Sequence, residues 1–417
     1  MILTKEKELD RISKIFNTRA EYCAEKYVDR SEYEEAYEEA FRREKSIIVK
    51  GNSGCGKTWL TRHVLESNKY RYIFINLANV KNSGGINSYF KTLTGKSQVE
   101  YNETINAEGN LALIKSGAKI EKKFVVQSNY YLEYLKQNKG KFIVFDNVET
   151  IINDVDIIND IGNILTLTDD MEIKDSKTRI ILIGTNSDLI SIFRTLPNYE
   201  TISNRLCELM EIKGFNNTEC IEYISRRYKE AGFDIKNINE FGEHIFEYTN
   251  GMPQNVSDLC QYIAEIHIKN NLRIIDILNS LSKSFIEQAE QKWVKSSFLG
   301  EYMTIYSLFC ENEEHKVKNR NNYILFGLKE YDKSEFSSET IQAIVSRIFQ
   351  QKADKIGKRV VGNYLKELSD TSMNCNILVE KRKDVYKIKS YKTLLCMRMI
   401  LQNIDGHVVL KSCDELS

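Results

Sequence analysis

Ser46-Ile-Ile-Val-Lys-Gly-Asn-Ser-Gly-Cys-Gly-Lys-Thr58 decides the reading of this 417-residue chain. Ile47 to Val49 is a short apolar run that predicts a buried strand. It opens into Gly51-Asn52-Ser53-Gly54-Cys55-Gly56-Lys57-Thr58, which satisfies every fixed position of the G-x-x-x-x-G-K-[ST] phosphate-binding loop. Glycines let the backbone wrap closely and aim its N–H groups at phosphate oxygens. In such a loop Lys57 reaches the β and γ phosphates of ATP and the Thr58 hydroxyl serves Mg2+. Trp59 to Leu65 continues at helical spacing, so the phosphates meet a helix N-terminus. The strand before and the helix after argue against a chance glycine-rich turn.

Two more apolar runs carry the candidate chemistry. Lys141-Phe-Ile-Val-Phe-Asp146 reads as a buried parallel strand that delivers a carboxylate at its C-terminal edge. Asp146 is the residue expected to hold Mg2+ through water, oriented against Thr58. Asn147 follows, where many ATPases of this type have a second acid; an amide cannot take a proton from attacking water. Glu149 is the nearest carboxylate and the favoured general base. If it is not the base, Asn147 only positions water and hydrolysis is slow. Arg179-Ile-Ile-Leu-Ile-Gly-Thr-Asn186 reads as a third buried strand. Its polar end, Thr185 and Asn186, suits a sensor of the lytic water or γ-phosphate, while Asn186-Ser187-Asp188 also suits a helix cap. Arg194 and Arg205 are arginine-finger candidates toward a neighbouring subunit, with Arg205 the better placed; the plainer alternative is a surface ion pair.

Bulk composition sets outer limits. The 59 basic and 59 acidic residues cancel, so overall charge argues neither for nor against nucleic acid. Nine cysteines and five histidines show no metal-ligand spacing and no CxxC pair, the pattern of free thiols in a reducing, cytoplasmic setting. No signal-peptide pattern and no run near 18 apolar residues occurs, so no membrane partner is expected. Only two prolines, Pro197 and Pro253, point to a largely helical chain.

Ahead of the loop, Leu9, Ile12, Ile15 and Phe16 recur at helical spacing. Tyr27 and Val28 are candidates to cover the adenine, against the alternative of a solvated helix packed on the sheet. Ser31 with Glu34 fits a capping box for the charged helix that follows. Residues 95–126 read as an inserted hairpin or loop. Beyond Cys207–Ile212, a last short strand, the chain turns helical at 218–229, 238–248 and 255–268. Gly251 ends one helix and Pro253 starts the next, with that helix's positive end expected toward the nucleotide.

Residues 292–398 carry twenty Lys or Arg against thirteen Asp or Glu. Helices are expected at 302–309, 337–350 and 357–368. Asn376 to Lys389 alternates about a charged turn and reads as a β-hairpin. Three helices and a hairpin make a winged helix. Lys358, Arg359, Asn363 and Lys366 on its third helix, with Lys381, Arg382 and Lys383 at the wing tip, are candidates for double-stranded DNA. A winged helix used for protein contacts is the alternative. The expected organisation is a nucleotide-binding core at 1–213, a helical lid at 214–291, and a winged-helix domain with a C-terminal tail at 292–417.

Together, Gly51–Thr58, Phe142–Asp146, Ile180–Asn186 and Gly251–Pro253 resemble the AAA+ and STAND branch of P-loop ATPases, and within it the prokaryotic relatives of origin-recognition ATPases. The resemblance implies an α/β core with a parallel sheet, a helical lid and a winged helix. It also implies ATP and Mg2+ as cofactors and ATP-dependent homo-oligomers. Where many of these relatives have an arginine after the proline this chain has Gln254, and with Asn147 that departure implies slow turnover. Tyr27–Arg30 is similar to the same segment of bacterial ATPases of mobile elements and phage defence, which implies a DNA-bound switch or a regulator of an effector protein.

Overall fold

The computed structural model describes residues 2–18, 22–94, 130–167, 178–185, 189–309, 316–331, 335–350, 356–372 and 376–411. The expected insertion at 95–126 and the Asn186 sensor lie outside the described residues. The chain divides into two compact units, Tyr22–Lys213 and Met1–Glu21 with Gly214–Ser417. Helix α1 (Ile2–Phe16) therefore groups with the second unit, whereas the sequence reading kept it with the core segment.

The first unit is a parallel-sheet P-loop core. Its elements run α2 (Ser31–Arg42), β1 (Ser46–Lys50), α3 (Lys57–Ser67), β2 (Arg71–Asn76), α4 (Leu77–Asn82), α5 (Ile86–Thr94) and α6 (Tyr130–Gln137). They continue with β3 (Lys141–Asp146), α7 (Val155–Leu167), β4 (Arg179–Gly184), α8 (Tyr199–Arg205) and β5 (Leu206–Glu208). The five strands lie in the order β2-β3-β4-β1-β5, every pair parallel. A parallel sheet needs both faces covered, which is why Ile47–Val49 and Ile180–Ile183 are apolar without alternation and fully buried. The register Ile47↔Ile181 and Ile143↔Ile180 brings the C-terminal ends of β1, β3 and β4 side by side. In open α/β sheets ligands bind at that edge.

Two local expectations change. The N-cap of α2 is Arg30, not Ser31, and makes no side-chain cap, so the expected capping box does not form; Arg30 N–H instead donates to Glu34 Oε1, four residues on, at 2.8 Å. The last strand is shorter than Cys207–Ile212, yet Leu209 and Ile212 still donate to the carbonyls of Ile48 and Lys50, so the segment follows β1 past its end.

The second unit is mostly helical. It contains α9 (Asn217–Ala231), β6 (Asp234–Lys236), α10 (Ile238–Thr249), α11 (Pro253–Lys269), β7 (Ile274–Asp276) and α12 (Ser280–Ser297). Beyond these come α13 (Leu299–Leu308), α14 (Lys316–Lys329), α15 (Ser338–Phe349), α16 (Lys358–Ser369), β8 (Leu378–Arg382), β9 (Val385–Ile388), α17 (Tyr391–Ile400), β10 (Leu401–Ile404) and β11 (His407–Leu410). Asn216 and Glu219 build a complete capping box at α9. Helix α1 packs on α11, where Tyr223 donates to Ser257 and Ser257 to the Phe16 carbonyl. Pro253 occupies the first turn of α11. Before it, Gly251 approaches the chain so closely that a Cβ there would sit 2.1 Å from the Phe215 carbonyl oxygen.

On α16, Val361, Tyr364, Leu365 and Leu368 are buried, and Lys358, Arg359, Asn363 and Lys366 are exposed. The β8–β9 hairpin is antiparallel with Lys381, Arg382 and Lys383 exposed at its turn. It is anchored on one side: Phe336 and Tyr386 exchange backbone hydrogen bonds, and the Ser338 hydroxyl donates to Asp384 at 2.8 Å. Helix α14, helix α17, the parallel β6–β7 pair and the β10–β11 hairpin are elements the sequence reading did not anticipate. Among the described residues no helix is long and apolar enough to cross a membrane.

Candidate functional site

The phosphate loop leaves β1 at Gly51, and its shape depends on that glycine. A Cβ at Gly51 would fall 2.3 Å from the carbonyl oxygen of Ile212, so only a residue without a side chain lets the loop pass. Asn52 and Ser53 are exposed, Gly54 and Gly56 are partly buried, and Cys55 is buried, its thiol pushed up by burial. Gly56 at φ +91° precedes α3, whose first residues are Lys57, Thr58 and Trp59. The Lys57 ammonium, 8% exposed, donates to the carbonyls of Gly51 at 2.9 Å and Asn52 at 2.8 Å. Its charge is thereby held within the loop's own curve.

Thr58 and Asp146 meet across the sheet edge. The threonine hydroxyl donates to Asp146 Oδ2 at 2.8 Å. Burial pushes the Asp146 carboxyl up; the Thr58 hydroxyl, the Asn147 N–H and the Lys57 charge act against that, and Glu149 adds to it. A hard cation beside this carboxylate favours its ionised form. The paired hydroxyl and carboxylate oxygens are the donor set that suits Mg2+. With the side-chain-free passage at Gly51 and the lysine in the loop, the residues fit ATP with Mg2+.

Just past β3, Asn147 adopts the left-handed conformation at φ +63° and its N–H donates to Asp146 Oδ1 at 2.8 Å. Asparagine tolerates that backbone better than most residues. The turn it makes carries Glu149 back toward the sheet, where Oε2 accepts from the Thr185 N–H at 3.1 Å. Asp146, Asn147, Glu149 and Thr185 thus gather at the ends of β3 and β4. Thr185 contributes its backbone N–H to this cluster.

The remaining candidates fall elsewhere in the same unit or outside it. Tyr27 is buried, its ring stacked on His63 of α3 at 3.8 Å and its hydroxyl donating to Glu34 at 2.8 Å. Val28 is buried beside it in sequence, and Trp59 packs edge-on against Tyr22. Arg205 donates to the Thr201 carbonyl one turn back in α8, and Arg194 is exposed. Pro253, Lys358, Arg359, Asn363, Lys366, Lys381, Arg382 and Lys383 belong to the second unit.

Arg30 is the residue that sequence reasoning missed. It is 3% exposed, and its guanidinium donates to the Cys55 carbonyl at 3.0 Å and the Lys213 carbonyl at 2.6 Å, with the Tyr33 ring against it. One side chain thus braces the tip of the phosphate loop against the segment beyond β5. The available signal was positional: a cation at a helix N-cap opposes the helix dipole and needs another reason to be there. Arg30→Ala removes two charge-assisted bonds, one to the buried Cys55 carbonyl and one to the part-buried Lys213 carbonyl, so we expect about 2–4 kcal/mol less stability for this unit. Chemical denaturation with and without ATP measures the loss, and the nucleotide should recover part of it by mass action.

Residues 41–193 match the family described as AAA domain. No curated protein matches the chain. Among solved structures, the Walker-type ATPase of Pyrococcus abyssi is similar with a TM-score of 0.51 at 17% identity, over 92% of this chain and 99% of that one. Cdc6p from Pyrobaculum aerophilum gives 0.46 at 12% identity, over 93% and 97% of the two chains. The Aeropyrum pernix ORC2 protein gives 0.48 at 12%, over 93% and 96%. At this identity the first of these likenesses speaks for the fold alone.

Proposed function

We propose that this chain, a P-loop ATPase by its AAA domain, works as a slow ATP-dependent switch that couples nucleotide state to DNA binding or to oligomerisation. The observation that carries the slow turnover is the Glu149 carboxylate, already engaged by the Thr185 N–H at 3.1 Å while Asn147 fills the position next to Asp146. A carboxylate tied by a backbone donor is less free to turn toward water. Bound ATP with Mg2+ supplies the phosphoanhydride and a Lewis acid. Lys57, Thr58 and Asp146 would hold it, Glu149 is the general base, Asn186 the sensor, and Arg205 the finger toward a neighbouring copy. Tyr27 and Val28 are read as the nucleoside side of the site.

Helices α14, α15 and α16 with the β8–β9 hairpin are read as a winged helix within a domain at 292–417, after a lid at 214–291; α14, which packs on α15, takes the place expected of the helix at 302–309. Four polar or basic side chains exposed along α16 and three at the hairpin turn support contact with a DNA duplex. The AAA+ and STAND resemblance supports a DNA-directed role; phage defence and control of mobile elements are settings it fits. A second reading rests on Lys358, which pairs with Glu339 at 2.8 Å and so has part of its charge answered within the unit. It makes the same surface a dock for an effector protein.

Duplex DNA binding measured by filter retention or anisotropy, with ATP, ADP and no nucleotide, separates the two. We expect binding that depends on nucleotide and falls with salt. Replacing Lys381, Arg382 and Lys383 together by alanine should weaken it about tenfold or more, evenly across sequences. Absence of binding in every nucleotide state would leave the effector reading.

A further inference from the structure

A second cluster of ligand-type side chains lies in the same unit as the phosphate loop, between the segment that leads into α2, the first turn of α2 and the middle of α3. Asp29, Glu34 and His63 each present one ligand atom, and the three atoms lie within 4.8 Å of one another. His63 Nε2 stands 4.0 Å from Glu34 Oε1. We propose that these three residues form a binding site for a first-row divalent transition cation of the Zn2+ or Co2+ kind, separate from the Mg2+ pair at Thr58 and Asp146.

The surroundings orient the ligands as a metal would need them. The Tyr22 hydroxyl lies 2.8 Å from His63 Nδ1. With the ring proton on Nδ1 donated to that oxygen, the Nε2 lone pair faces the carboxylates; such an outer hydrogen bond is what fixes a metal-binding imidazole. The Tyr22 hydroxyl is pushed up to about 12, chiefly by burial, and stays protonated, so it brings no charge of its own. The Tyr27 ring, parallel to the imidazole at 3.8 Å, sets its plane. Glu34 Oε1, the oxygen that faces His63 Nε2, accepts from the Tyr27 hydroxyl and from Arg30 N–H, both at 2.8 Å, which fixes the carboxylate beside the imidazole. Asp29 is exposed and gives the ion a way in. The Ser67 hydroxyl, 3.4 Å from Nε2, is the other polar group facing the ring nitrogen and is too distant to compete strongly.

The choice of ion follows from the donors. One imidazole nitrogen favours Zn2+, Co2+ or their neighbours over Mg2+, which prefers oxygen ligands and keeps its water. Ligand bonds of about 2.0–2.2 Å require these atoms to close by roughly an ångström, a side-chain adjustment and not a backbone one. Three protein ligands leave a position for water. Such an ion would join the segment at Asp29 and the head of α2 to α3, the helix that starts in the phosphate loop. Tyr27 would then be clamped between its own segment and His63.

The test uses the full chain, stripped of metal and kept reduced, titrated with Co2+ and followed by visible absorption, with Zn2+ and Mg2+ as competitors. The expected result is uptake of about one equivalent with ligand-field bands and no thiolate charge transfer, displaced by Zn2+ and not by Mg2+. His63→Gln should abolish it, and Asp29→Asn should weaken it about tenfold or more. Asp29 is exposed, so that variant does not put folding at stake, and its ATP affinity should match wild type. No uptake, uptake through thiolates, or affinity unchanged by Asp29→Asn would overturn the proposal. ATP binding is read in the same samples, so a failure here is distinct from a failure of the nucleotide site.

Discussion

Lys57→Ala should lose ATP. The ammonium is the one positive side chain inside the loop's curve, held by the Gly51 and Asn52 carbonyls, and it is nearly buried. A charge-assisted bond to phosphate in a partly dry site is among the strong ones. We expect affinity to fall by about 100-fold or more, which corresponds to about 2.7 kcal/mol or more. Isothermal titration with ATP and Mg2+ reads this directly. Unchanged affinity would refute the assignment of the loop, and with it the switch.

Glu149→Gln should do the opposite to the two constants. The amide keeps an oxygen for the Thr185 N–H, so the turn after Asn147 is retained. It loses the charge and the basicity. Turnover should drop by about 100-fold to 10,000-fold, the range for removal of a general base. ATP affinity should stay within about twofold, since Glu149 pushes the Asp146 carboxyl up and its neutralisation eases ionisation of the metal-side acid. Single-turnover hydrolysis beside equilibrium binding distinguishes the two effects. Turnover equal to wild type would place the base elsewhere and leave Asn147 as a positioner of water.

What could be read from the sequence was what depends on short stretches. β1, β3 and β4 are continuous apolar runs with charged or glycine ends, and the structure contains each within a residue or two. The Gly51–Thr58 loop is a local motif and forms at the end of β1 as such loops do. Elements with weaker local patterns were missed. Helix α14 begins Lys-Val-Lys-Asn-Arg-Asn-Asn, with hardly an apolar stripe before Tyr323. The β10–β11 hairpin did carry a signal, Asp405-Gly406 between alternating residues, both at positive φ as a type I′ turn demands.

Long-range contacts were illegible for a different reason. Arg30 acts through the carbonyls of Cys55 and Lys213, and nothing in its own neighbourhood names them. Glu149 was singled out by elimination, but its direction comes from the left-handed Asn147 and an N–H on another strand. The Asp29–Glu34–His63 cluster has no metal-ligand spacing in sequence because it is assembled from the segment before α2, α2 itself and α3. Ser31 was read as the cap because serine is a common one; the side chain that must be buried, Arg30, took the position instead.

The strand order β2-β3-β4-β1-β5 has a consequence for how the chain is made. β1 is synthesised early, yet its two sheet neighbours are β4 and β5, at 179–184 and 206–208. At about 5–20 residues per second, the apolar Ile47–Val49 segment waits on the order of ten seconds after leaving the ribosome before either partner exists. The β2–β3 pair can form in that interval, but the centre of the sheet cannot close. The nascent core is therefore exposed to aggregation through β1 in particular; chaperone capture before residue 208 should raise the yield of folded protein, and slower translation of that stretch should lower it.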